Sequence, residues 1–148
     1  MQTPRKILPA LFLLTCGFAN QAEGQAPDPG KTSREEFEVV ETLDVKIPLR
    51  DGVNLAADIF RPKSDQKFPA ILQQTPYGKT GQRARAKKFA ALGYVVVNTE
   101  SRGRFESGGE WDPFSAMHKT DGYDAVEWVA RQDWSPNGKI YARAIGGV

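Results

Sequence analysis

The chain contains a single cysteine and a single histidine in 148 residues. A lone Cys16 excludes an internal disulfide, and a lone His118 excludes a metal site built from several histidines. No metal or organic cofactor is implied. Neither charge sign is in large excess. The formal net charge is +2, which gives no case for a nucleic-acid partner, since a polyanion needs a clear surplus of Lys and Arg. There is no internal repeat and no low-complexity tract. No apolar run reaches the ~20 residues of a bilayer span, so no integral membrane segment is expected. What remains is ordinary globular material, 40% hydrophobic and 26% charged, in a length that allows at most one domain.

The most apolar stretch lies at the start. Arg5 and Lys6 precede residues 7–18, which include Leu8, Leu11, Phe12, Leu13 and Leu14. This is the layout of a secretory signal peptide, with Ala22-Glu23-Gly24 as the cleavage site before Gln25. Residues 1–24 are therefore expected to direct the protein out of the cytoplasm, to a periplasm or the medium. Cys16 offers a lipid-attachment reading, but Leu13-Leu14-Thr15 lacks the small residue wanted just before such a Cys. Lipoprotein is the poorer fit. Residues 25–36, with Pro27 and Pro29, read as a flexible lead-in.

From Phe37 the pattern turns to β. Val39, Leu43, Val45, Ile47 and Leu49 recur mostly at every second position, and Val53, Leu55, Ala57 and Ile59 do so after the turn signal Arg50-Asp51-Gly52. Two such runs predict an antiparallel hairpin. A short strand is predicted from Phe68 to Thr75, and a helix over residues 82–92 with Ala86, Phe89 and Ala90 inward. The run Tyr94-Val95-Val96-Val97 reads as a strand covered on both faces. A Gly-rich loop follows over residues 101–109. A second helix is predicted over residues 121–132, capped by Asp121, with Asp124 in its first turn and Ala125, Trp128 and Val129 facing the sheet. A last strand is expected from Lys139 to Ala142. Strands that alternate with helices pair in parallel, so the fold class is α/β.

Several residues invite a chemical reading. Tyr77 stands just past a strand's carboxyl end, where reaction sites in open α/β sheets gather. Its phenol could donate to a developing oxyanion, or it could simply pack on a turn. The loop of Arg102, Gly103, Arg104, Ser107, Gly108 and Gly109 could cradle an anion, or could be a tight strand exit with Arg102 in an internal ion pair. The second reading is the simpler one. Lys79, Arg83, Arg85, Lys87 and Lys88 read as a solvated basic face, and His118 as a surface residue. After the last strand a nucleophile elbow, G-x-S-x-G, would fall. The chain has Ala142-Arg143-Ala144-Ile145-Gly146-Gly147-Val148 there, without Ser, Cys or Thr.

The segment Ile47-Pro48-Leu49-Arg50-Asp51-Gly52-Val53-Asn54-Leu55 resembles the opening hairpin of the X-prolyl dipeptidyl-peptidase-like hydrolases. This family includes cocaine-esterase-type enzymes, α-amino acid ester hydrolases and glutaryl acylases. The residues from Asp58 to Pro62, Thr75-Pro76-Tyr77, the run from Phe89 to Val97, Arg102-Gly103 with Ser107 and Gly109, then Asp124 to Trp128 and Asn137 to Ile140 match in order. The resemblance implies an α/β-hydrolase sheet with a cap and a C-terminal jelly roll, and Ser-His-Asp acyl transfer on a small-molecule or peptide substrate. It gives Tyr77 a place in the oxyanion hole.

The departures are as informative. Counting from Asn137, the family's Ser falls on Gly146; aligning the terminal glycines puts it on Ala144. The acid and base of the family would lie beyond Val148, and His118 does not match the base. Glu100 stands where the family often has Asp. The expectation is an incomplete α/β-hydrolase sheet beginning with an antiparallel hairpin, cap and jelly roll absent, inactive by itself, with matches that dissolve after Ile140 as at a break in the gene model. The competing reading is a short extracytoplasmic module that binds without catalysis. Oligomeric state is open.

Overall fold

The structure, a computed structural model, describes residues 36–135 and 139–145. The expected signal peptide, the expected lead-in up to residue 35, Asn137 and Gly146 lie outside the described residues. Glu36, the last residue assigned to the lead-in, is tied to the fold: its N–H and that of Phe37 both donate to the Ala91 carbonyl, at 2.9 and 3.1 Å.

Strands β1 (Val39–Pro48) and β2 (Asn54–Pro62) form the expected antiparallel hairpin. Leu49 N–H donates to Val53 O at 2.8 Å, and Gly52 closes the turn at φ 85°, a conformation that suits a residue without Cβ. The alternation of β1 breaks at a bulge between Thr42 and Val45, where Asp44 takes φ 57°. An inserted residue shifts the period of two, so Leu43, expected inward, is exposed.

β3 (Ala70–Thr75), α1 (Arg83–Ala91), β4 (Val95–Glu100), α2 (Met117–Ala130) and β5 (Ile140–Ala144) follow. The sheet order is β1-β2-β4-β3-β5. β2 runs antiparallel to β4, and β3 is parallel to both β4 and β5. This is a mixed, open α/β sheet.

Each face carries one helix. Ala86 and Ala90 of α1 pack on Phe60 and Val96, with Phe89 beside them. Ala125 and Val129 of α2 pack on Leu55, Ala57, Ile59, Leu72, Val95 and Val97. Val95 and Val97 thus face one helix and Val96 the other, which is why β4 is apolar without alternation. β2 also lies inside the sheet, so its intervening positions Ala56, Asp58 and Phe60 are buried, not turned to water.

The second helix departs from expectation. It begins at Met117, with Ala116 at its N-cap, and Asp121 lies within it. The Asp121 carboxylate caps nothing; it is buried against Arg102, and that tertiary pair sets its place. β5 runs on to Ala144, beyond the expected Ala142.

Candidate active site

The carboxyl ends of β3, β4 and β5 lie side by side. Thr75 is in register with Glu100, and Gln74 with Ala144; the Ile145 N–H then donates to the Gln74 carbonyl at 2.7 Å. The exits of the three strands therefore share one edge, as open α/β sheets require of a ligand site.

Tyr77 leaves β3 through a clamped turn. Its N–H donates to Thr75 Oγ1 at 3.1 Å, and the Thr75 carbonyl accepts the Ser101 N–H at 2.9 Å. Arg104 Nε donates to the Pro76 carbonyl at 3.0 Å, while the Arg104 guanidinium lies 5.2 Å from the Phe105 ring centre and 5.5 Å from that of Trp111. The Phe105 ring in turn covers Gly78. The backbone around Tyr77 is fixed on both sides, yet its side chain is 62% exposed at the strand ends. The backbone at Tyr77 is thus fixed while its side chain stays accessible at the strand ends.

The loop after β4 is a tight strand exit and not an anion cradle. Its amides are used internally: Gly103 N–H reaches Gly108 O at 2.8 Å, Arg104 N–H reaches Ser101 O, Ser107 N–H reaches Arg104 O, and Gly108 N–H reaches Asn54 O. Arg102 makes the internal ion pair, donating through Nε and Nη2 to the two oxygens of Asp121 at 2.9 and 2.7 Å, and through Nη1 to Asp51 at 2.8 Å. The hydrogen bonds to Asp121 outweigh desolvation and raise the Arg102 pKa further. The Arg102 pair thereby holds α2, the hairpin turn and the β4 exit together. Ser107 Oγ donates to the Glu100 carbonyl at 3.0 Å and accepts the Ala56 N–H at 2.9 Å, fastening the loop to β2.

The basic face predicted on the first helix is only partly solvated. Lys79, on the 3₁₀ turn before α1, is 2% exposed. Its ammonium sits 3.0 Å from Asp44 and in contact with Glu106, with Glu100 at 3.8 Å. Burial works against this charge, yet the hydrogen bonds to Glu106 and Asp44 hold its pKa above the ordinary lysine value. Arg83 Nε donates to the buried Asp58 at 2.8 Å. Two cations of the run are therefore structural, because acidic side chains on β1, β2 and the β4 exit reach under α1. Lys87 reaches Glu41 at the surface.

Sequence reasoning missed the part that Glu100 plays. Its buried carboxylate accepts the Lys79 N–H at 3.2 Å and the Glu106 N–H at 2.9 Å, so one side chain joins the loop after Tyr77 to the loop after Arg102. The signal was present: an ionisable residue at the end of a buried, β-branched strand needs donors close by. His118 stays apart from this cluster. Its Nε2 lies 2.6 Å from the Asp112 carbonyl and its ring 5.4 Å from that of Trp111. Of the two positions considered for a nucleophile, Ala144 ends β5 and Gly146 lies outside the described residues. Among the described residues no group of His, Cys, Asp and Glu is placed to hold a metal ion, and no helix is long and apolar enough to cross a membrane.

Residues 51–142 match the family model described as X-Pro dipeptidyl-peptidase (S15 family). Over 97 residues the chain is 36% identical to cocaine esterase from Rhodococcus sp. (strain MB1 Bresler), an alignment covering 62% of this chain and 17% of that enzyme. Among solved structures it is similar to a CocE/NonD family hydrolase from Staphylococcus aureus, with a TM-score of 0.63 and 30% identity over 70% of this chain and 22% of that one. An α-amino acid ester hydrolase matches with a TM-score of 0.60 and 26% identity, over 82% of this chain and 24% of that one. The chain thus spans less than a quarter of each of these proteins.

Proposed function

The chain belongs to the X-Pro dipeptidyl-peptidase (S15) family, a family of esterase and peptidase hydrolases, and from that premise we propose that it supplies the opening part of an acyl-transfer site with Tyr77 as an oxyanion donor. The observation that carries this reading is the clamped turn at the end of β3, which presents the Tyr77 side chain beside the exits of β4 and β5. When a nucleophile attacks an acyl carbonyl, negative charge gathers on its oxygen. A phenol that donates to that oxygen stabilises the charge, an effect worth about 3–4 kcal/mol for one oxyanion-hole donor. The substrate class is an acyl compound: an ester, an amide or an X-Pro peptide. The Ser of such a reaction has no counterpart at either matching position here, since Ala144 and Gly146 offer no attacking atom. The 148-residue chain therefore hydrolyses nothing by itself. Residues 1–24 export it, and the mature protein starts at Gln25.

Three measurements test this. A fluorophosphonate probe should leave the purified chain unlabelled, and specific labelling would overturn the claim of inactivity. Mass spectrometry of the exported protein should give a mature chain beginning at Gln25. Tyr77 is tested in a chimera, with residues 36–135 replacing the matching segment of the Rhodococcus cocaine esterase. There Tyr77→Phe should lower kcat about 100- to 1,000-fold with little change in KM, and an unchanged kcat would remove Tyr77 from the site.

A further inference from the structure

We propose that Glu100 is a positioning residue for Tyr77: its buried carboxylate fixes Gly78 from two sides at once, and with it the turn that carries the phenol. The catalytic meaning of this role rests on the reading of Tyr77 as an oxyanion donor. The upstream half of the turn is held by Arg104 on the Pro76 carbonyl and by Thr75 Oγ1 on the Tyr77 N–H. The downstream half runs through Gly78, at φ 92°, where no Cβ restrains the backbone. A group that keeps Tyr77 in place from that side has to act across this glycine.

Glu100 does so by two routes. It ends β4 and is 3% exposed. Its Oε1 accepts the N–H of Lys79, the residue after Gly78, at 3.2 Å. Its Oε2 accepts the N–H of Glu106, the residue after Phe105, at 2.9 Å. The Phe105 ring is the one that lies on Gly78, where a Cβ would stand 3.3 Å from its Cζ. Phe105 itself takes φ 48°, a conformation that a bulky side chain keeps only where its surroundings hold it. The bond to Glu106 N–H is such a hold. The Lys79 ammonium then touches the Glu106 carboxylate, so three residues close a ring: one carboxylate on two amides, and the two side chains of those amides on each other. Neither loop can shift without breaking a member of that ring. The Lys79 ammonium lies 3.8 Å from Glu100, farther than either amide, so the charge-assisted bonds to the backbone set the place of this carboxylate.

Amide hydrogen exchange in the full chain, read by NMR, tests the ring. Lys79 opens the 3₁₀ turn and Glu106 lies in a loop, so each amide depends on a side chain for its protection. Both should be protected in the wild type, and fast exchange at either overturns the proposal without any variant. Glu100→Gln has one acceptor oxygen for two amides and turns a donor towards the other. It should lower protection at Lys79 and Glu106 at least tenfold, while Val95, Val96 and Val97 keep theirs. An equal loss along β4 would make Glu100 a general stabiliser and overturn the proposal. Lys79→Met with Glu100→Gln removes both charges together. Recovered protection at Glu106 in that double variant would reduce Glu100 to a countercharge, which also overturns it. In the cocaine esterase chimera, Glu100→Gln should lower kcat about 10- to 100-fold with little change in KM, the cost of a misplaced group. It should cost nothing further in the Tyr77→Phe background, because Glu100 acts through Tyr77. Equal losses in both backgrounds overturn the proposal. A Tyr77→Phe chimera with unchanged kcat would sink the oxyanion reading by that result alone, and the exchange data would still decide whether Glu100 fixes the turn.

Discussion

At the exit of β4, each turn of the chain is anchored to a different element. Arg102 reaches α2 and the hairpin turn, Ser107 reaches β2, Arg104 reaches the β3 exit, and Glu100 gathers amides from two loops. At β5, one strand away from β3, the backbone is tied to β3 and the side chains look into water. The two regions share a sheet and an edge but differ in what holds them. The first is set by buried charges and close backbone packing, which tolerate no substitution that leaves a partner alone. The second is set by a parallel ladder with little side-chain burial. The firm region is the one that fixes the backbone at Tyr77. The loose region is where the match to the family model ends, at Ala142.

The largest effect should come from the firm region. A Cβ at Gly103 would stand 2.2 Å from the Trp111 nitrogen and 2.4 Å from the Glu110 carbonyl carbon, with φ at 66°. Gly103→Ala cannot be accommodated without opening the loop, and a cooperative thermal transition should be lost. Gly52→Ala is the control. Its φ is 85° but nothing lies within 4 Å, so only the conformational strain of about 1–2 kcal/mol is expected. If the two variants melted alike, close packing at the β4 exit would not be what distinguishes it.

Arg102→Ala ranks next. Asp121 is 1% exposed, and it would be left buried without its two guanidinium bonds. Breaking a buried pair in this way costs about 3–5 kcal/mol, because the remaining charge has neither water nor partner. Urea unfolding should show that loss. Arg102→Met with Asp121→Leu should recover much of it, since the cost lies in the orphaned charge and not in the absence of the bridge.

Element type was legible from pattern. The hairpin with its Asp51-Gly52 turn, the doubly covered valines of β4 and the inward Ala86 and Ala90 followed from spacing and composition alone. What was not legible depended on partners distant in sequence. Asp121 looks like a cap because Asp before an amphipathic run usually is one; only the position of Arg102 across the sheet shows otherwise. Lys79 looks like surface until Asp44, Glu100 and Glu106 are brought under it from a bulge, a strand end and a loop. Leu43 was misplaced because one inserted residue at Asp44 reverses the faces. Of the site, Tyr77 was named from its place after a strand, whereas the Arg104–Pro76 and Ser101–Thr75 contacts that clamp its turn were not readable, since both cross from the β4 exit to the β3 exit.

Core truncations compare the regions on equal chemistry. Leu55 is fully buried between the hairpin and α2, and Leu55→Ala should cost about 2–5 kcal/mol. Ile140 of β5 is half-buried at the margin of the same cluster. The cavity left by Ile140→Ala opens to solvent, so its cost should fall below about 2 kcal/mol. Equal losses would mean that β5 is as much a part of the core as β2.

Acid should separate the regions most gently. Hydrogen bonds from Arg102 hold Asp51, those from Arg50 hold Asp124, and those from Lys79 hold Asp44, each below the ordinary carboxylate value of 3.8. The unfolded chain therefore takes up protons at a higher pH than the folded one. The stability these carboxylates give is fully present above pH 3.8 and is lost as pH falls through their lowered folded values. The cations that hold them lie at raised values and stay charged throughout that range, so they add no slope of their own. The melting temperature should be flat from neutral pH down to the carboxylate range and decline below it. Asp51→Asn should lower the melting temperature near neutrality and flatten the acid decline. Asp124→Asn should do the same to a smaller degree and only at low salt, because its partner Arg50 is largely exposed and screened. β5 carries no carboxylate, so Ile140→Ala should leave the acid slope untouched; a changed slope in that variant would tie β5 to the charge network from which its geometry separates it.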